Sequence, residues 1–275
     1  MTQPHDFRSL IPPQPEILLK LAKLFKQDNP DLKQISALIK QDVALYSVVL
    51  KTINSPFYGL RAPVISVEHA INLLGTGQVF NLVRLTIMRN TLKKTGRMER
   101  FWDTAKDVSD LSLRLLSRLK LKLDRDDMHA LGMLHDCGLP LMIQAYPDFR
   151  DTLRASSCYN SAELEALQKQ HYGFSHYQVG SRMAERWFLP QHLADSIRYQ
   201  PQLEDVLNDR VQVDERTREL LAILTLAQDV SAEFRYYWRI QPNDLAPRVN
   251  KALAFLALTD YDYLSIRESL IDSLN

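Results

Sequence analysis

The chain has 275 residues, 45% hydrophobic and 24% charged, enough for one large domain or two small ones with a sizeable core. Its 34 basic and 33 acidic groups leave a net charge of +1, so no global field draws it to nucleic acid or an anionic membrane. No apolar run reaches transmembrane length, the opening Met1-Thr-Gln-Pro-His-Asp6 lacks the regions of a signal peptide, and Cys137 and Cys158 form neither a disulfide framework nor a CxxC knuckle. The expectation is a cytoplasmic protein with no membrane contact.

Eight glycines and apolar residues recurring at spacings of three and four predict an all-α fold. Residues 1–10 read as a flexible tail, and Ile11-Pro-Pro-Gln-Pro15 as an extended lead-in, since each proline disfavours helix at the residue before it. A helix follows over 16–27. Asn29-Pro30 reads as the cap and first residue of a second, running to Lys40 with Ile35, Leu38 and Ile39 buried. Asp42 caps a third, with a stripe of Val43, Leu45, Val48, Val49 and Ile53, ended by Asn54-Ser-Pro-Phe-Tyr-Gly59. Ser66 caps a fourth that Gly75 stops, and a fifth runs over 76–95. Long helices are expected over 98–121 and 214–238, with a His-Asp helix over 126–138 that Pro140 restarts. Shorter ones fall near 147–157, 161–172, 175–187 and 190–199, and two more close the chain.

One stretch carries chemistry. Met128-His-Ala-Leu-Gly-Met-Leu-His-Asp-Cys-Gly-Leu-Pro140 sets His135 beside Asp136 within an apolar run, where a buried charge needs a partner or a metal. The pair is therefore a metal site, a hydrogen-bonded structural pair, or the remnant of a site. Adjacent His and Asp ligands can both reach one ion at a helix kink, which Gly138 and Pro140 supply. No P-loop, dinucleotide fingerprint, GxSxG, HExxH or EF-hand pattern occurs.

Several segments resemble the HDOD domain, the HD-related output domain of bacterial signalling proteins. They include Ile11-Pro-Pro-Gln-Pro-Glu-Ile-Leu-Leu19, Ile39-Lys-Gln-Asp-Val-Ala-Leu45, Ile53-Asn-Ser-Pro-Phe-Tyr-Gly59 and Ile65-Ser-Val-Glu-His-Ala-Ile-Asn-Leu-Leu-Gly75. Phe101-Trp102, Leu134-His-Asp-Cys-Gly138, Gly173-Phe-Ser-His-Tyr-Gln-Val-Gly180, Trp187-Phe-Leu-Pro190 and Ile197-Arg-Tyr199 continue it, over about residues 10–230. The resemblance implies an N-terminal five-helix lobe (11–96) packed on a degenerate HD-like lobe (97–235), followed by a C-terminal helical extension (236–275). It also implies an ancestral metal site of the HD phosphohydrolase kind, of which His135, Asp136 and His176 are present. The first histidine of that pattern falls at about Thr104, its lysine at Leu139, its late histidine pair at Gln200 and Pro201, and its final aspartate near Gln228. Asp229 lies one place, about 100° of helix, out of register.

Two basic stripes stand out. Arg89, Lys93, Arg97 and Arg100 recur at four, four and three, and Arg114, Arg118, Lys122 and Arg125 repeat the pattern. Each reads as a solvated face or a docking surface for an acidic partner, a nucleotide or RNA. Asp260, Asp262, Glu268 and Asp272 are acids that could dock on such a stripe. The expectation is a non-enzymatic signalling module binding a signalling protein or a small ligand in the cleft between its lobes, with no cofactor and nucleic acid not expected. The alternatives are a metal-dependent phosphohydrolase on His135, Asp136 and His176, and nucleic-acid or nucleotide binding through the stripes.

Overall fold

The computed structural model describes residues 6–93, 98–156, 160–236 and 245–272, and all secondary structure among them is helical. Two compact units emerge: Pro12–Lys94, and a second formed by Met1–Ile11 with Thr95–Asn275.

The first unit contains α1 (Glu16–Phe25), α2 (Leu32–Lys40), α3 (Val43–Ile53), α4 (Val67–Leu74) and α5 (Thr76–Lys93). Helix starts follow side-chain caps. The carboxylate of Asp42 accepts the backbone N–H of Leu45 at 2.9 Å, and the hydroxyl of Ser66 accepts that of His69 at 3.1 Å. The start of α2 is a correction: Asp31, rather than Asn29, is the cap, accepting the N–H groups of Lys33 and Gln34. A second correction concerns α3. Leu45, Val49 and Ile53, spaced by four, are buried, whereas Val43 is 74% and Val48 39% exposed. Asn54 closes that helix by donating to the carbonyls of Leu50 and Val64 and accepting from the N–H of Val64. Gly59 then takes a φ of 57°, as the turn requires.

The second unit contains α6 (Glu99–Arg118), α7 (Arg125–Leu134), α8 (Gly138–Ala145), α9 (Phe149–Ala155), α10 (Ser161–Tyr172), α11 (His176–Arg186), α12 (Gln191–Arg198), α13 (Leu203–Leu207), α14 (Glu215–Tyr236), α15 (Pro247–Phe255) and α16 (Asp260–Asp272). Part of the expected tail is ordered: Phe7–Leu10 form a 3₁₀ turn, and the Phe7 ring lies 5.6 Å from that of Phe174. The core is held by α6, α7, α8, α11, α12 and α14 through Val108, Leu111, Leu115, Met128, Leu131, Met183, Leu193, Leu220 and Leu224. Long α14 touches α6, α7, α12, α13, α15 and α16, so the C-terminal helices pack on this unit.

The expected restart of the His-Asp helix is present but falls earlier than Pro140. α7 ends at Leu134, His135 caps it, and α8 restarts at Gly138, with Pro140 in a first turn where its missing N–H has no intrahelical partner to lose. A Cβ on Gly138 would stand 1.9 Å from the carbonyl oxygen of His176, so only glycine lets α8 cross α11 at that distance. This crossing brings His176 to the His135-Asp136 turn.

Candidate functional site: a His-Asp cluster beside a polar cavity

His135, Asp136 and His176 come together. The Nε2 of His135 lies 3.4 Å from Oδ2 of Asp136, and the Nε2 of His176 lies 3.5 Å from Oδ1. Both rings are almost fully buried, while the Asp136 side chain keeps 28% exposure.

The proton on each ring can be placed from its other nitrogen. Nδ1 of His135 is 2.8 Å from the carbonyl oxygen of Gly132, which can only accept, so Nδ1 carries a hydrogen. Nδ1 of His176 is 2.8 Å from Oε1 of Gln168, and the backbone N–H of His176 donates to that same oxygen at 2.9 Å. The second bond fixes the amide orientation, so here too Nδ1–H is the donor. Each Nε2 therefore faces one oxygen of Asp136, and it is this edge that would have to offer a lone pair to any shared cation.

Burial alone would raise the Asp136 pKa, but His135 and His176 outweigh it, with a smaller contribution from Arg248, and hold the carboxyl at about 2. Burial pushes the neighbouring Cys137 thiol up to about 12, with Asp136 adding to it, so Cys137 is an inert core thiol. Burial and Asp136 likewise push the Tyr177 hydroxyl upward.

A cavity of about 350 Å³ opens beside the cluster, lined by Thr104, His135, Asp136, Tyr177, Gln228 and Asp229 among others. The positions where the HD pattern would require further ligands thus reach the same place, carrying other chemistry. Gln200 donates from Nε2 to the carbonyl of His135 at 2.7 Å and accepts from Nε2 of Gln228 at 2.9 Å. Gln228 in turn accepts from Arg248 Nη2 at 2.5 Å. Thr104 spends its hydroxyl on the carbonyl of Arg100. Asp229 accepts from the Tyr263 hydroxyl at 2.6 Å and pairs with Arg267 at 3.4 Å. A chain of amides and a guanidinium stands where carboxylate and imidazole donors would be needed. Among the described residues no group of three or more His, Cys, Asp or Glu side chains could hold a metal ion. The donor set does not fit one.

A second His-Asp cluster was not foreseen. His192 donates from Nε2 to Oδ2 of Asp127 at 2.6 Å, and Arg216 reaches the same oxygen at 2.6 Å, joining α7, α12 and α14. His129 pairs through Nδ1 with the Ser109 hydroxyl at 2.8 Å.

The basic stripes are not continuous helical faces. Arg89 lies on α5 and Arg100 on α6, in different units; Arg97 and the Lys93 side chain lie outside the described residues. Burial lowers the Arg89 pKa, unlike that of a freely solvated arginine. In the second stripe α6 ends at Arg118, leaving Lys122 in the connection and Arg125 at the start of α7. Arg114, Arg118, Lys122 and Arg125 are exposed, Arg118 donating to Ser269 at 2.7 Å and Arg125 to Ser117 at 3.1 Å. The acids of α16 do not carry its docking. Its buried Arg267 instead enters the acidic side of α14, pairing with Asp229 and with Glu233 at 2.8 Å.

Sequence reasoning missed Tyr177, Ser231, Arg235 and Arg248 on the cavity wall. Gln228, Ser231 and Arg235, at spacings of three and four on one helix, were the available signal.

The fold and site define a helical HD-like domain whose metal-ligand positions are largely replaced. The HDOD domain family matches residues 11–203, and the chain belongs to it. An uncharacterized protein of Treponema pallidum (strain Nichols) is 26% identical over 190 residues, 69% of this chain but 37% of that protein, so the chain spans well under two thirds of that relative's length. An HDOD domain protein of unknown function from Geobacter sulfurreducens is similar in fold, with a TM-score of 0.65 at 22% identity, covering 96% of this chain and 90% of that one. A Shewanella amazonensis SB2B structure whose name assigns it provisionally to the phosphohydrolases superposes with a TM-score of 0.68 at 19% identity, covering 98% and 94%. No helix among the described residues is long and apolar enough to cross a membrane.

Proposed function

We propose that this chain is a non-enzymatic cytoplasmic regulatory module of bacterial signal transduction, acting by binding a signalling protein. Family membership supports the signalling role. The absence of hydrolytic chemistry is supported by one observation above all: the donor positions next to the His-Asp pair are amides already bonded to each other and to the backbone of His135. A hydrolase of this type needs an ion with an open coordination position to activate water. Here Arg248 also adds a positive charge to the wall of the same cavity, which opposes a divalent cation by simple Coulomb repulsion. The module then works by what it holds, and its partner is another chain of the pathway.

Elemental analysis of protein purified without tag or chelator tests this first. The expected result is no stoichiometric zinc, iron or manganese, and no release of phosphate from phosphodiester substrates. Near-stoichiometric metal that disappears in His135→Ala, together with phosphodiesterase activity, would overturn the proposal.

A further inference from the structure

The cavity walls hold three cationic or donor groups that the His-Asp cluster does not use. Ser231 on α14 is 2% exposed and lines the cavity, yet its hydroxyl has no partner among the described residues. One turn further along α14, Arg235 gives Nη2 to Asp107 while its buried Nε–H has no partner among the described residues. Across the cavity, Arg248 on α15 donates from Nη1 to the Ser161 hydroxyl at 2.8 Å and from Nη2 to the Gln228 carbonyl at 2.5 Å. Both acceptors are neutral. Among the described residues no carboxylate pairs with Arg248, and burial lowers its pKa despite the pull of Tyr177, Asp229 and Asp136. A partly buried guanidinium on neutral oxygens, an orphaned hydroxyl and an orphaned N–H on one cavity are costly unless something accepts from them.

The acids around the same space are already committed. Asp136 is held between His135 and His176, Asp229 by Tyr263 and Arg267, and Asp107 by Arg235. Donor capacity not met by a carboxylate therefore sits on Arg248, whose hydrogen-bond acceptors are neutral, and on the Nε edge of Arg235, whose Nη2 alone meets Asp107. About 350 Å³ is at the lower end of small-molecule sites, enough for a compact metabolite or a mononucleotide.

We propose that this cavity is a binding site for a small organic anion, whose carboxylate or phosphate head is taken by Arg248, Arg235 and Ser231. Thr225 and Tyr177 line the same space and would face the body of the ligand. The proposal rests on the reading above, in which the cavity is not a metal-hydrolase centre, and it gives that regulatory module a ligand class. Ligand binding at the junction of α14 and α15 then becomes an input that the partner can read.

Isothermal titration calorimetry of the full chain with inorganic phosphate, adenosine 5′-monophosphate and succinate tests it, with the phosphate and carboxylate arms separating the two head groups. The expected result is saturable binding of at least one probe. Arg248→Gln and Ser231→Ala should each weaken it, the arginine change by about tenfold to a hundredfold, since a charge-assisted bond is lost. Circular dichroism and the thermal midpoint of both unliganded variants check that they are folded, and Arg118→Gln on the exposed face serves as a control that leaves binding unchanged. No binding of any probe at millimolar concentration overturns the site, as does binding that both variants retain at full strength. Adding divalent metal to the bound phosphate ester separates this from the parent reading. Hydrolysis would sink the non-enzymatic proposal while leaving the anion site standing. Absence of both binding and metal would do the reverse.

Discussion

Two histidine–aspartate clusters lie in the same helical unit, and they are built differently. Around Asp127 the contacts are short and direct, 2.6 Å to His192 and 2.6 Å to Arg216, and the carboxylate ties three helices together. Around Asp136 the contacts are 3.4 and 3.5 Å, longer than a normal N–H···O bond, although both rings are nearly fully buried and locked by a second bond at Nδ1. One cluster is a clamp. The other keeps the fixed ring orientation of a ligand-holding site but opens onto a cavity. Adjacency of His and Asp in sequence does not separate these cases, and the more conspicuous pair, His135-Asp136, turns out to be the looser one.

The largest effect is expected where the crossing that builds the Asp136 cluster is forced apart. Gly138→Ala sets a Cβ against the backbone carbonyl of His176, 1.9 Å away, and against Gly180 N at 2.9 Å, neither of which can rotate aside. Overpacking of this kind should cost about 3 kcal/mol or more of unfolding free energy in urea. It should also shift the His176 ring resonances more than those of His192. A loss under 1 kcal/mol would mean that α8 and α11 separate easily.

The clamp should come next. Asp127→Ala leaves His192 and Arg216 without their shared acceptor and should destabilise by about 2–3 kcal/mol, moderated because the Arg216 side chain is 40% exposed and can turn to water. A smaller cost is expected from Asp136→Asn, and it carries a pH signature. The folded pKa of Asp136 is depressed to about 2 from an ordinary value of 3.8, so its contribution is present above pH 4 and lost as pH falls from 4 towards 2. With 28% exposure screening the cluster, the contribution is about 1–2 kcal/mol. Acid unfolding of the wild type should therefore steepen in that window relative to Asp136→Asn, and parallel curves would show that the imidazoles do not hold the carboxylate.

Much of this was legible from local rules. Asp42, Ser66 and Gly75 marked helix ends because caps act within three residues, and the convergence of His135, Asp136 and His176 was what the resemblance to the HDOD domain implied. The degenerate positions were legible too. Thr104, Gln228 and Asp229 do line one cavity with the His-Asp pair, and Gln200 joins them through the backbone of His135. The Asp127 clamp was not readable, since its partner His192 is 65 residues away and neither residue sits in a conspicuous pattern. Arg248 escaped for a related reason. It lies beyond the segments that carry the resemblance, and only the packing of α15 on α14 gives it a role. The second stripe does not share one helical face because the period was carried across α6's end at Arg118.

The smallest effect separates the cavity from the clamp most sharply, because its sign differs. Ser231 is as buried as a core residue, and its neighbour Thr225, also 3% exposed or less, donates to the carbonyl of Leu221 at 2.8 Å. Removing a buried hydroxyl that has a partner costs stability, whereas removing one that has none relieves a desolvation penalty. Alanine is also the better helix former at that position. Ser231→Ala should therefore leave the unliganded protein unchanged or more stable by up to about 1 kcal/mol, measured as a shift in the urea midpoint at constant slope. A residue whose removal stabilises the fold while weakening a ligand is held there by function. If Ser231→Ala instead loses more than about 1 kcal/mol, its hydroxyl is satisfied in the unliganded protein, and the cavity is a second clamp like that around Asp127.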